Sequence, residues 1–342
     1  IRAIYIMAWL LWDTLRLKPR ILHVQSHSAG YFAYPVSVLT RTPFVLDVHG
    51  VTPAERRYGM EDIQKTYRDY LLEWLDTFLI SHAHGLLFVS NYMAEHYRPY
   101  TRSHYVIVPC CVDTVLFAPS QQARERIRKE LNLEDRFCVI YSGSFFDKWQ
   151  EPQDIARFFQ AFHLANPAAL MVVLSNDDPA KVADFVARYE LSPEAIFVRQ
   201  ANHADVPKWL AAADAGLLVR RIDPVNQVAS PTKFAEYLAC GLPVVITEGI
   251  GDYSDLVRAA QIGYVLQPQV WHNTENMAGI LAALKATNGN QKKAAELLKI
   301  NRTTLIEKMI PELRRRGLSV STLKHAHHAF DMDRPGKDSH RH

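Results

Sequence analysis

The chain has 342 residues, enough at about 150 per domain for two domains and a small third. Hydrophobic residues make up 48% and charged residues 22%, which supplies sizeable cores and excludes a disordered or fibrous polypeptide. The net charge of +3 is unevenly placed: residues 285–316 carry +6 and the remainder −3, so a basic module follows a mildly acidic body.

The chain opens on Ile1 with an apolar run, Ile4 to Trp12, of nine residues. A membrane span needs roughly 20, and no small-residue cleavage site follows, so the run predicts a helix packed on a sheet. Next come short β-branched runs alternating with helical stretches, the pattern of parallel α/β sheets. The predicted strands are 21–26, 44–48, 86–89, 105–108, 138–141, 171–174, 196–199, 216–219, 244–247 and 264–266. A break at 117–122 precedes the charged helix 123–131. It divides the body into a first Rossmann-like domain, 1–118, and a second, 119–272. The first domain offers four strands and begins in a helix, so its opening βα units are expected to be missing. The four cysteines, Cys110, Cys111, Cys138 and Cys240, have neither disulfide-framework nor metal spacing, which fits a reducing, cytoplasmic setting.

The densest chemical signal is the segment from Ser230-Pro231-Thr232-Lys233 through Glu236 to Gly241-Leu242-Pro243. Ser230 suits an N-cap, Pro231 the first helical position and Gly241 the C-terminal cap. A helix starting there beside a strand end offers free N–H groups and a positive dipole end, where a pyrophosphate fits on Thr232 and Lys233. Glu236 lies one turn on, placed to accept from ribose hydroxyls. A well-capped helix packed on a sheet accounts for Phe234, Tyr237 and Leu238, but not for Lys233 and Glu236 beside the cap.

With Val108–Phe117, Tyr141-Ser142-Gly143-Ser144 and Leu46-Asp47-Val48-His49-Gly50, this segment resembles the retaining GT-B glycosyltransferases of the group 1 and family 4 type, over residues 21–266. The resemblance implies two Rossmann-like α/β domains and a nucleotide-sugar donor. It also implies a polysaccharide or glycolipid acceptor, cytoplasmic placement with peripheral association at the inner membrane face, and no cofactor or metal. None of the ten predicted strands ends in an Asp-x-Asp motif, in keeping with the last point. Donor binding falls by resemblance to Gly143, Ser144, Lys148, Ser230, Thr232, Lys233 and Glu236, with Lys148 and Lys233 at phosphate and Glu236 at ribose. Two departures stand out: Val228 occupies the place of a glutamate, and Ser144 that of an arginine. His49 matches the histidine that the family's first domain presents toward the donor sugar and is the catalytic candidate; from the residue pattern alone it reads as a capping or core histidine.

After Gln267-Pro268 the pattern predicts three short helices, 275–286, 291–298 and 302–310, in a module spanning 273–318. Asn290 and Asn301 cap the last two across a three-residue turn, a helix-turn-helix spacing. The segment resembles the Fis-type DNA-binding helix-turn-helix of bacterial enhancer-binding regulators. That implies DNA contacts from Arg302, Thr303 and Lys308, with Lys292 and Lys293 near phosphates; the structural alternative is a helical appendage with a solvated basic face. A DNA-binding regulator whose GT-B body is a ligand sensor or inactive relic is the alternative to an enzyme. The tail, 319–342, holds five of the 15 histidines and no apolar period, which predicts disorder.

Overall fold

The computed structural model describes residues 2–60, 64–133, 135–267, 274–286, 320–325 and 330–332. In chain order its elements begin α1 (Arg2–Leu17), β1 (Ile21–Gln25), α2 (His27–Thr40), β2 (Phe44–Val48), α3 (Thr52–Arg57), α4 (Tyr67–His82), β3 (Gly85–Phe88), α5 (Asn91–Tyr97) and β4 (Tyr105–Ile107). They continue α6 (Gln121–Glu130), β5 (Cys138–Ser142), α7 (Pro152–Ala165), β6 (Leu170–Leu174), α8 (Pro179–Ala187), β7 (Ile196–Arg199), α9 (Val206–Ala212) and β8 (Ala215–Leu218). The remainder are α10 (Pro224–Gln227), α11 (Thr232–Ala239), β9 (Val244–Thr247), α12 (Tyr253–Ala260), β10 (Gly263–Leu266), α13 (Thr274–Ala286), β11 (Val320–His325) and β12 (Phe330–Met332). All ten predicted strands occur, with ends shifted by one residue at most.

The chain divides into two compact units. The first takes residues 1–109, 227–229 and 302–342, the second 110–226 and 230–301, so the division falls at Pro109/Cys110 rather than at 118/119. The first unit's sheet runs β12-β11-β1-β2-β3-β4. It is parallel throughout except for β12, which pairs antiparallel with β11. The tail expected to be disordered therefore supplies two strands: Ile21 to Gln25 pair in register with Val320 to Lys324. The reason is that Val320-Ser321-Thr322-Leu323 is β-branched enough for a strand, and the free edge of β1 gives its backbone groups partners. β12 ends on Asp331-Met332, the start of an Asp-x-Asp in the sequence that the sequence reading did not place beside a strand; Asp333 lies outside the described residues.

The second unit's sheet is wholly parallel, ordered β7-β6-β5-β8-β9-β10 from its far edge. Counted within the unit this is 3-2-1-4-5-6, the doubly wound order, which reverses between β5 and β8 and opens a crevice at the carboxyl ends of those strands. Strands β5, β6, β8 and β9 are buried at every position, as runs apolar on both faces require when helices cover both sides. One layer packs Cys138, Ile140 and Val172 against Leu210, Phe234 and Leu238. The other packs Val139, Tyr141 and Val173 against α7, whose Ile155, Phe158, Phe159 and Phe162 form one apolar face at helical spacing.

Helix α13 corrects the reading of the basic module. Met277, Ile280 and Leu284 are buried in the core beside α7, so this helix belongs to the second α/β unit and not to an appended three-helix domain. The two following predicted helices, with Lys292, Lys293, Arg302, Thr303 and Lys308, lie outside the described residues.

Candidate functional site

A cavity of about 340 Å³ opens where the second sheet reverses. Its lining includes Ser142 at the end of β5 with Gly143 and Ser144 after it, Ser175 after β6, Arg220 after β8, and Thr232, Lys233 and Glu236 from α11. Five of the predicted donor residues, Gly143, Ser144, Thr232, Lys233 and Glu236, are thus gathered on one surface.

Each is held for a local reason. Helix α11 starts at Thr232 with Pro231 as its N-cap and no side chain capping it, and Pro231, Thr232 and Lys233 of this first turn line the cavity. Ser230 is not the cap predicted for it. Its Oγ accepts from the Cys110 backbone N–H at 2.7 Å and lies 2.7 Å from the Tyr253 hydroxyl, because its backbone is one residue too early to reach the first turn. Gly241 does terminate the helix: at φ 77° its N–H reaches Leu238 O at 3.0 Å.

Lys233 is partly buried, with its ammonium 4.2 Å above the Tyr141 ring and donating to Gln150 Oε1 at 3.3 Å. Gly143 adopts φ 122°, and a Cβ there would stand 3.2 Å from Lys233 Nζ, so glycine serves both the backbone turn and the close approach. Burial, followed by the positive charge of Arg220, pushes the Lys233 pKa well below the usual lysine range. Burial raises that of Glu236, against the opposing fields of His203 and Lys233. The turn after Gly143 is tied down by Asp177, whose carboxylate accepts from Ser144 Oγ, Phe145 N–H and Ser175 Oγ. Burial alone would raise the Asp177 pKa; these donors outweigh it and hold the carboxyl below its ordinary value.

Ser144 therefore lines the cavity with its hydroxyl committed to Asp177. Lys148 is not among the lining residues, and its ammonium sits 3.9 Å over the Trp149 ring. The sequence reading missed Arg220, Ser175 and His203. The position of Arg220, two residues past a buried strand, was the available signal.

In the first unit, His49 follows β2 and is 46% exposed, with Nε2 3.2 Å from Asp47 Oδ2. Asp47 is fully buried and lies 3.7 Å from His23 Nε2 as well. Nearby, buried Asp76 accepts from the Tyr31 hydroxyl at 2.5 Å and lies 3.8 Å from His27 Nδ1. Burial lowers the His27 pKa despite Asp76. Val228, in the place of a glutamate, is buried, and its carbonyl accepts from Ser90 Oγ at 2.8 Å.

Comparison with known proteins places both halves. Residues 1–116 match the family model Glycosyltransferase Family 4, and residues 136–285 match Glycosyl transferases group 1. Residues 278–309 match Bacterial regulatory protein, Fis family, and 298–342 match Molybdopterin guanine dinucleotide synthesis protein B. A 38-residue stretch is 53% identical to the molybdopterin-guanine dinucleotide biosynthesis adapter protein of Escherichia coli (strain K12), 11% of this chain and 22% of that protein. The Haemophilus influenzae counterpart matches at 55% over 38 residues, so the chain spans about a fifth of the length of the curated relatives it matches. Among solved structures, sucrose-phosphate synthase from Thermosynechococcus elongatus superposes with TM-score 0.70 at 17% identity, over 91% of this chain and 77% of that one. Anabaena HepE in complex with UDP and glucose gives 0.67 at 14% identity, over 90% and 81%. WaaG, a glycosyltransferase involved in lipopolysaccharide biosynthesis, gives 0.60 at 18% identity, over 83% and 82%. These likenesses are of fold.

Proposed function

We propose, from the premise that the chain belongs to the GT-B glycosyltransferases of the family 4 and group 1 type, that it moves a sugar with retention from a nucleoside-diphosphate donor to a polysaccharide or glycolipid acceptor. One observation carries the reading: Thr232, Lys233 and Glu236 share a cavity with the Gly143 turn at the point where a doubly wound sheet reverses. The diphosphate sits on the α11 N-terminus and the Lys233 ammonium, while Glu236 accepts from the ribose hydroxyls. As the bond from the sugar's anomeric carbon to the phosphate oxygen breaks, the electron pair leaves with the diphosphate, and the cation and helix end stabilise it. The acceptor oxygen bonds to that carbon on the same face, and its proton passes to the departing phosphate oxygen, which has taken the electron pair of the broken bond. His49, with Nε2 3.2 Å from Asp47 Oδ2, is the catalytic candidate by family resemblance.

The charge on the leaving group is met by protein cations, so the reaction is proposed to need no metal, and turnover should persist in chelator. Exposed Tyr67, Tyr70 and Trp74 on α4 support peripheral contact with a membrane carrying the acceptor. No helix among the described residues is long and apolar enough to cross one. The test of the donor site is calorimetric titration of the purified chain with UDP, GDP and ADP and their glucose derivatives. Micromolar binding of at least one nucleotide diphosphate is expected, and absence of binding across the set refutes the assignment.

The match over 278–309 supports a second reading, that Lys292, Lys293, Arg302, Thr303 and Lys308 contact DNA. Fluorescence anisotropy of the full chain with duplex DNA should then show affinity falling steeply with salt, by a log–log slope of about −0.9 per neutralised phosphate. Absence of binding at low salt refutes it.

A further inference from the structure

The turn after Gly143 lacks the guanidinium that the family resemblance implies at position 144, yet the same cavity contains a guanidinium from elsewhere. Arg220 lines it together with Ser144 and Lys233. Its backbone is pinned on both sides to Thr247: the Arg220 N–H donates to Thr247 Oγ1 at 3.0 Å, and the Thr247 hydroxyl donates to Arg220 O at 2.7 Å. Arg220 Nη1 donates to Asn226 Oδ1 at 3.2 Å, and Asn226 is itself fully buried, its amide donating to Arg221 O at 3.0 Å. The guanidinium is braced through its Nη1 by a fixed acceptor, and the strand end that carries it is locked to its neighbour.

Two cations therefore border one cavity, with Glu236 the carboxylate among its lining residues. The positive field of Arg220 opposes protonation of Lys233, and burial sharpens the conflict. Such an arrangement is relieved by an anion carrying more than one negative charge, and a guanidinium with an ammonium matches the two linked phosphates of a nucleoside diphosphate. We propose that Arg220 is the second cation of the donor's diphosphate site, supplying from the end of β8 the charge that Ser144 does not supply from the end of β5. The inference rests on the nucleotide reading above.

The experiment is calorimetric titration of the full chain with UDP, UMP and inorganic pyrophosphate, for the parent protein and Arg220→Gln, with Lys233→Met as comparison. The parent should prefer UDP to UMP, and pyrophosphate should displace UDP. In Arg220→Gln the UDP affinity should fall about tenfold or more, the scale of one charge-assisted hydrogen bond, while UMP affinity changes little and displacement by pyrophosphate is lost. A variant that keeps the parent's preference for UDP over UMP overturns the proposal, as does one that loses UMP as severely as UDP, since that describes a structural role. Arg220→Met, which also removes the charge, is read by the same ratio if the glutamine variant fails to fold. A parent that binds no nucleotide overturns the nucleotide reading itself, whereas intact parental binding with an indifferent variant overturns only the role of Arg220.

Discussion

An alanine at position 216 would place its Cβ 2.4 Å from Cδ2 of Tyr237, 2.5 Å from Cγ and 2.9 Å from Cε2. Carbon atoms rest at about 3.5–4.0 Å, so the ring must retreat by roughly 1 Å. Tyr237 is fully buried and cannot move freely: its hydroxyl accepts the Ser142 backbone N–H at 3.0 Å and donates to Leu217 O at 3.3 Å. Overpacking a core costs about 1–3 kcal/mol, and stranding the buried Ser142 N–H costs about 1–3 kcal/mol more. Alanine returns about 0.4–1 kcal/mol by narrowing the unfolded ensemble. With both penalties near their middle values, Gly216→Ala should therefore destabilise the second unit by about 2–4 kcal/mol. Because a chain of two units need not unfold in one step, hydrogen exchange of the β5 amides is the better measure than a melting curve. Their exchange should quicken by roughly 30- to 700-fold, at 1.4 kcal/mol per factor of ten. Gly279→Ala is the control: nothing stands within 4 Å of its Cβ on α13, and it should stabilise by about 0.5–1 kcal/mol. Unchanged β5 exchange in Gly216→Ala would refute the reasoning that the Tyr237 ring cannot retreat without losing its hydrogen bond to the Ser142 N–H.

Glu236→Gln should weaken UDP binding by about 1.5–3 kcal/mol, yet leave unchanged the affinity for a nucleotide lacking both ribose hydroxyls; equal losses would show that Glu236 does not read ribose. The Lys233 pKa is depressed in the free protein and an adjacent diphosphate favours the ammonium, so UDP binding should raise it and take up protons. The uptake should appear between that depressed value and the ordinary lysine value near 10.4, in calorimetry across buffers of different ionisation enthalpy, and vanish in Lys233→Met. Asp214→Ala removes at once the acceptor of Arg124, Arg128 and the Cys138 N–H, and should cost about 2–3 kcal/mol by urea denaturation. That is less than for a fully buried pair because the carboxylate is 18% exposed.

The strands were legible because parallel strands buried on both faces, such as Val244–Thr247, leave uninterrupted apolar runs that no other element produces at that length. Lys233 and Glu236 were legible for a different reason, standing as charges on a helix otherwise explained by packing. Arg220 was not, since a lone arginine beyond a strand reads as solvated surface until the neighbouring strand ends are brought alongside. Lys148, placed by its spacing from Gly143, is not among the residues lining the cavity, and its ammonium lies over the Trp149 ring beside it. The tail misled through composition, because its five histidines mask a short β-branched segment whose pairing partner is some 300 residues away.

That remote pairing dictates an order of events during synthesis. The second unit is assembled from residues 110–226 and 230–301, whereas the first unit's sheet acquires β11 beside β1 only with residues 320–325. At about 5–20 residues per second, the edge of β1 emerges from the ribosome tens of seconds before the strand that will cover it. During that interval Ile21–Gln25 presents an unpaired row of backbone donors and acceptors, the template on which a neighbouring nascent chain can add. The half of the molecule made first is thus the last to close. Slowing translation of the codons between β10 and β11 should lengthen the hazard and raise the aggregated fraction without any change of sequence.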